Sequence, residues 1–166
     1  LQPWTGAFLE GKDCPCEAPY GGVIWKGGGR LDTRRFLESS GIFFRDSGLL
    51  ETGEVDLASG LEVEKPTIMC AGAAGLGSEP FGFLPERRAK GEILTVRIPG
   101  QPENRVLSRN GWMIPLGQGL FRVGSTYSWD DLTDSVTTSG RLQVENLVRS
   151  FTALSFETVE HVAGIR

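Results

Sequence analysis

The sequence predicts an α+β domain, with a largely antiparallel or mixed sheet and two main helices packed on it. Three observations lead there. Glycine supplies 23 of the 166 residues, which marks a strand-rich chain with many turns. From residue 92 onward, most apolar runs alternate with polar residues in the period of a strand. One segment departs from that rhythm: Val144, Leu147, Val148 and Phe151 fall at i, i+3, i+4 and i+7, the apolar stripe of a helix whose other face is charged.

The elements follow in order. Gly21-Gly22-Val23-Ile24-Trp25 reads as a short strand and Lys26-Gly27-Gly28-Gly29 as the turn after it. Asp32 or Thr33 can cap a helix through residues 34–38, which Gly41 is expected to end, and Ile42-Phe43-Phe44 is expected to begin a second strand. Residues 61–64 and 67–70 read as further strands; the latter is apolar on both faces and is expected at the centre of the sheet. Residues 92–98 alternate cleanly. Residues 105–108 should pair with 112–114 across Arg109-Asn110-Gly111, and 120–124 should return across Gly117-Gln118-Gly119. Ser139 is the expected cap of the helix carrying Val144, and residues 156–165 form a closing strand. No repeat or linker divides the chain, so residues 1–166 are expected to form a single domain. The chain starts at Leu1 without Met and stops at Arg166 just past a strand, so a piece of a larger protein is the expectation.

Composition narrows the function. Hydrophobic residues make up 39% and charged residues 23% of the chain, a globular rather than disordered balance. The net charge of −4 gives no basic face for nucleic acid. No apolar run approaches the roughly 18 residues of a membrane span, and the expectation is a soluble, cytoplasmic protein. Cys14, Cys16 and Cys70 are too few for a disulfide framework, and Cys14-Pro15-Cys16 has no further Cys or His nearby to complete a four-ligand metal site. They read as thiols of a reducing compartment. His161 is the sole histidine, alternates with apolar neighbours and reads as structural, so no catalytic side chain is predicted.

Three glycine clusters invite comparison with phosphate loops. Gly27-Gly28-Gly29 is followed by Asp32 where a third glycine should stand, which would set a carboxylate against the phosphates. Gly117-Gln118-Gly119 lies inside a hairpin, and Gly72-Ala73-Ala74-Gly75-Leu76-Gly77 has its glycines in reverse spacing. None is a self-sufficient dinucleotide site.

The last cluster carries a resemblance. Cys70-Ala71-Gly72-Ala73-Ala74 after an apolar run, then Arg88-Ala89-Lys90-Gly91-Glu92-Ile93-Leu94, Trp112-Met113-Ile114-Pro115, Arg122-Val123-Gly124-Ser125-Thr126 and the terminal Ala163-Gly164-Ile165-Arg166 follow one another in an order similar to flavoproteins of the D-amino-acid oxidase superfamily, its glycine oxidase-like branch above all. The likeness runs from about Gly21 to Arg166. The family's N-terminal dinucleotide fingerprint and C-terminal flavin-binding strand and helix have no counterpart, and Ala74 stands where relatives often carry an aromatic. What remains resembles the substrate-binding half.

The resemblance implies roles. Arg166 matches the arginine that forks onto the substrate carboxylate, Trp112 an aromatic over the substrate, and Tyr127 a residue lining the same pocket; Ala71, Gly72 and Ala73 would touch the flavin. The implied reaction is oxidation of a small amino acid or amine by hydride transfer to FAD, a cofactor this portion alone would not retain. Oxidase and dehydrogenase both remain open. So does a reading from a different class, a cofactor-free binding or interaction module built on the same sheet.

Overall fold

The computed structural model describes residues 5–54, 66–75 and 81–166. They form an α+β fold in which two helices accompany two sheets. The chain divides into two compact units, one of Leu1–Phe8 with Val23–Met69 and one of Leu9–Gly22 with Cys70–Arg166.

The first unit carries most of a two-stranded sheet, β1 (Thr5–Leu9) with β2 (Gly22–Trp25), and helix α1 (Thr33–Asp46). Strand β1 was not foreseen. Asp32 is the cap, its carboxylate accepting from the backbone N–H of Arg35 at 3.1 Å. The expected stop at Gly41 and strand at 42–44 are both corrected, because the helix runs through them. The reason is periodic: Phe36, Phe43 and Phe44 fall at i, i+7 and i+8, one helical face that a break at Gly41 would divide. The helix ends at Asp46, where Gly48 takes φ +66° and its N–H, with that of Leu49, closes on the carbonyls of Arg45 and Phe44.

The second unit is built on a five-stranded sheet of order β4-β5-β6-β3-β7, from β3 (Lys90–Arg97), β4 (Leu107–Ser108), β5 (Trp112–Gly117), β6 (Leu120–Gly124) and β7 (Glu157–Ile165). Every pairing in it is antiparallel. Both expected hairpins form, with Asn110 at φ 51° in the first and Gly117, Gln118 and Gly119 all at positive φ in the second. Helix α2 (Thr138–Phe151) packs across β3 and β6. Its cap is Thr137 rather than Ser139: the Thr137 hydroxyl accepts from the N–H of Gly140 at 2.9 Å. Val144, Val148 and Phe151 of α2 meet Leu94, Val96, Ile98, Met113, Phe121 and Val123 in the core, with Leu147 packed at its margin.

The expected central strand at 67–70 is also corrected. These residues take part in no strand ladder, and Ile68 is 88% exposed. A four-residue apolar run becomes a strand only where a neighbour supplies hydrogen bonds. The run expected at 61–64 lies outside the described residues.

Candidate functional site

Register decides which side chains share a face. Met113, Val123 and Leu94 are opposite one another across β5, β6 and β3, and all three point into the core. The residues before or after them therefore point the other way. On that second face Trp112, Gly124, Ile93 and Val162 form one cross-strand row, and Gly91 with Gly164 forms the next. The ring of Trp112 lies against Gly124; a Cβ there would stand 3.1 Å from its Cζ2 and would also collide with Ile93.

Arg166 continues β7 through a two-way backbone pairing with Ala89, at 3.0 and 2.8 Å. Its side chain crosses the strand on the second face. A Cβ on Gly91 would sit 3.4 Å from Nη2 and 3.6 Å from Cζ of Arg166, so glycine leaves the passage open. Beyond Gly91 the guanidinium donates to Ser125 Oγ at 3.1 Å and lies 4.1 Å over the ring of Tyr127. The ring contact is a cation–π pair, and with Nη2 committed to Ser125 the guanidinium has further N–H donors for a planar acceptor.

The segment after β6 presents Tyr127. Thr126 exchanges bonds with Glu92, its hydroxyl accepting from the Glu92 N–H at 2.9 Å, and Ser128 exchanges two backbone bonds with Lys90 at 2.8 and 2.9 Å. Alternation then turns Tyr127 and Trp129 to the same side. Their ring centroids are 6.3 Å apart, and the guanidinium of Arg87 sits 4.6 Å over Trp129.

Beneath this segment the charges are committed. Buried Lys90 donates to Asp131 at 2.5 Å; that bond, with two from Thr133, holds the Asp131 carboxyl at about 2. Buried Glu92 accepts from the N–H and hydroxyl of Thr137 at 2.9 and 2.7 Å, and Nε2 of His161 stands 2.8 Å from it, off the direction of a hydrogen bond. Burial pushes the Glu92 carboxyl up. The Thr137 donors, with His161 and Lys90, outweigh it and leave the group below its ordinary range.

Of the expected substrate-binding residues, Arg166 and Tyr127 are in direct contact, and Trp112 is on the same sheet face beside the strand that leads to Ser125. Ala71 precedes a short 3₁₀ turn, Gly72–Gly75, that holds Gly72 and Ala73, and none of the three is among the described contacts of Arg166 and Tyr127. The residues fit a planar ring approaching the backbone, since Ala71 and Gly72 are exposed and Gly72, at φ +57°, has no heavy atom within 4 Å of a Cβ position. Sequence reasoning missed Arg87, Trp129, Ser125 and Gly91. The two-residue spacing of Tyr127 and Trp129 was the available signal for Trp129.

A concavity of about 300 Å³ lies beyond Ser125, lined also by Asn110, Thr126, Gln143, Asn146, Leu147 and Ser150. It holds no charged side chain and offers a carboxylate no ionic partner. Among the described residues, no group of three or more His, Cys, Asp or Glu is placed to hold a metal ion, and no helix is long and apolar enough to cross a membrane.

The fold and site together define an α+β fold whose five-stranded antiparallel sheet carries a guanidinium–aromatic cluster on the face away from its core. No protein-family model matches the chain. Among solved structures it is similar to glycine oxidase from Bacillus cereus, with a TM-score of 0.40 and 18% identity over 48% of this chain and 23% of that one. The match therefore spans less than a quarter of that enzyme's length. Likeness at this level is coarse and leaves the family undefined.

Proposed function

We propose that the chain is the substrate-binding portion of an FAD-dependent oxidoreductase that oxidises a small amino acid or amine. One observation carries the reading: the Arg166 guanidinium, at the end of β7, is stacked on Tyr127 and tied to Ser125. That arrangement anchors the guanidinium while leaving N–H groups for a carboxylate, and a fork-shaped cation suits that acceptor better than a lysine.

In this reading Arg166 binds the substrate carboxylate and Tyr127 sets the orientation of the guanidinium. Trp112, on the same sheet face, covers the substrate beside Gly124. Ala71, Gly72 and Ala73 are the proposed flavin contacts, brought to the substrate by flavin-binding segments that would flank residues 1–166. When bound, FAD supplies the acceptor for the hydride that leaves the substrate carbon. The chain's own task is to hold that carbon in place. No side-chain base is required of it if the amine binds neutral, and His161 is engaged with Glu92 on the opposite face. A cytoplasmic location belongs to the same reading and is supported by three free thiols.

Arg166→Ala in the FAD-loaded protein should raise KM for a carboxylate substrate, at a cost on the order of 2–5 kcal/mol for removing a charge partner. An unchanged KM in steady-state assays would remove the carboxylate-anchor role. Gly72→Leu should weaken FAD retention, read from the flavin absorbance left after gel filtration.

A further inference from the structure

We infer that Arg87 is a second anion-binding residue of the Arg166 site, and that the substrate class is an amino acid carrying a second acidic group. The inference rests on Arg166 as the carboxylate anchor and extends it to substrate choice.

Two guanidinium groups flank one aromatic wall. Arg166 is 4.1 Å over Tyr127, Arg87 is 4.6 Å over Trp129, and the two rings are 6.3 Å apart with 32° between their planes. Both rings are fixed by the same segment through the Lys90–Ser128 pairing. Each pair is a cation–π contact, and a guanidinium has further N–H donors that can serve a bidentate bond.

Four neighbouring carboxylates are held by other residues. Glu86 is next to Arg87 in the chain yet bonds Arg88, at 3.2 and 3.3 Å. Asp131 takes Lys90, Glu160 takes Arg122 and Glu92 takes Thr137. Among the described residues, neither Arg87 nor Arg166 has a carboxylate partner. Two exposed cations without counter-ions, held on one wall, favour a ligand that brings both negative charges itself. A ligand with one carboxylate satisfies only Arg166. The rings of Tyr127 and Trp129 set apolar surface beside both cations, which suits the apolar spacer between two acidic groups.

The test is a heteronuclear NMR titration of this chain with glutamate of either hand and with glycine, following the Arg87 Nε–H and Trp129 Nε1–H resonances. Glutamate should bind about tenfold or more tightly than glycine, the worth of one charge-assisted contact. Arg87→Gln should bring the two ligands to similar affinity, and Arg166→Gln should weaken both. Both side chains are exposed, so dispersed spectra of the variants serve as the folding control. Equal binding of glutamate and glycine, unchanged in Arg87→Gln but lost in Arg166→Gln, would overturn the second anchor and leave the first standing. Binding of neither ligand by the unaltered chain would overturn both.

Discussion

Helices α1 and α2 are each 14 residues long, each is capped by a side-chain oxygen, and each carries phenylalanine on an apolar stripe. They differ in what covers the stripe. In α2, Gly140, Val144, Val148 and Phe151 are buried against the five-stranded sheet, whereas α1 has no buried residue, and its Phe36, Phe43 and Phe44 stay exposed. Capping and periodicity specify a helix, but helices of this length are marginal without packing. Stability therefore concentrates in the second unit, where the sheet supplies a partner for each apolar face. The candidate site is placed accordingly, on the opposite face of that sheet.

A pair of identical truncations gives the strongest test of that contrast. Phe151→Ala should cost about 3–5 kcal/mol, because a fully buried ring leaves a cavity. Phe43→Ala, at a position 63% exposed, should cost less than about 1 kcal/mol. Urea unfolding followed by far-ultraviolet circular dichroism reads both, and equal costs would remove the distinction between the helices.

Glycine replacements should differ in sign as well as size. A Cβ on Gly140 would run into the Glu92 carboxylate, so Gly140→Ala should cost about 1–3 kcal/mol. Gly41 has nothing within 4 Å, and Gly41→Ala should stabilise α1 by about 0.5–1 kcal/mol. A destabilising Gly41→Ala would mean that α1 has a neighbour at that position.

The smallest effect is in acid. The Glu92 carboxyl is held below its ordinary range when folded, so its contribution is complete above the unfolded value of about 4.3 and is lost as pH falls through the folded value. Glu92→Gln should flatten the fall of stability between about pH 5 and pH 3. The comparison is a pair of thermal-melt series across that range; parallel curves would mean that the Thr137 and His161 contacts contribute nothing through Glu92.

Periodicity carried the sheet and α2, because Leu94, Val96, Met113 and Val123 alternate with residues on an open face and so encode their own register. It failed at residues 42–44 and 67–70 for a shared reason. Short apolar runs are compatible with helix, strand or coil, and the decision rests on neighbours that a single segment does not name. In the site, Arg166, Tyr127 and Trp112 could be named from motif order, and two of the three are in contact. Arg87 and Gly91 could not. Arg87 matters through a ring 42 positions away in the chain, and Gly91 through the side chain that crosses it.

The most direct test of the central reading is the visible absorption spectrum of the protein carrying this chain with its proposed flavin-binding segments, recorded before and after anaerobic addition of glycine, sarcosine or a D-amino acid. The account predicts a flavin spectrum that bleaches when substrate is added. A colourless protein that takes up no added FAD would contradict it and leave the sheet as a cofactor-free binding or interaction module.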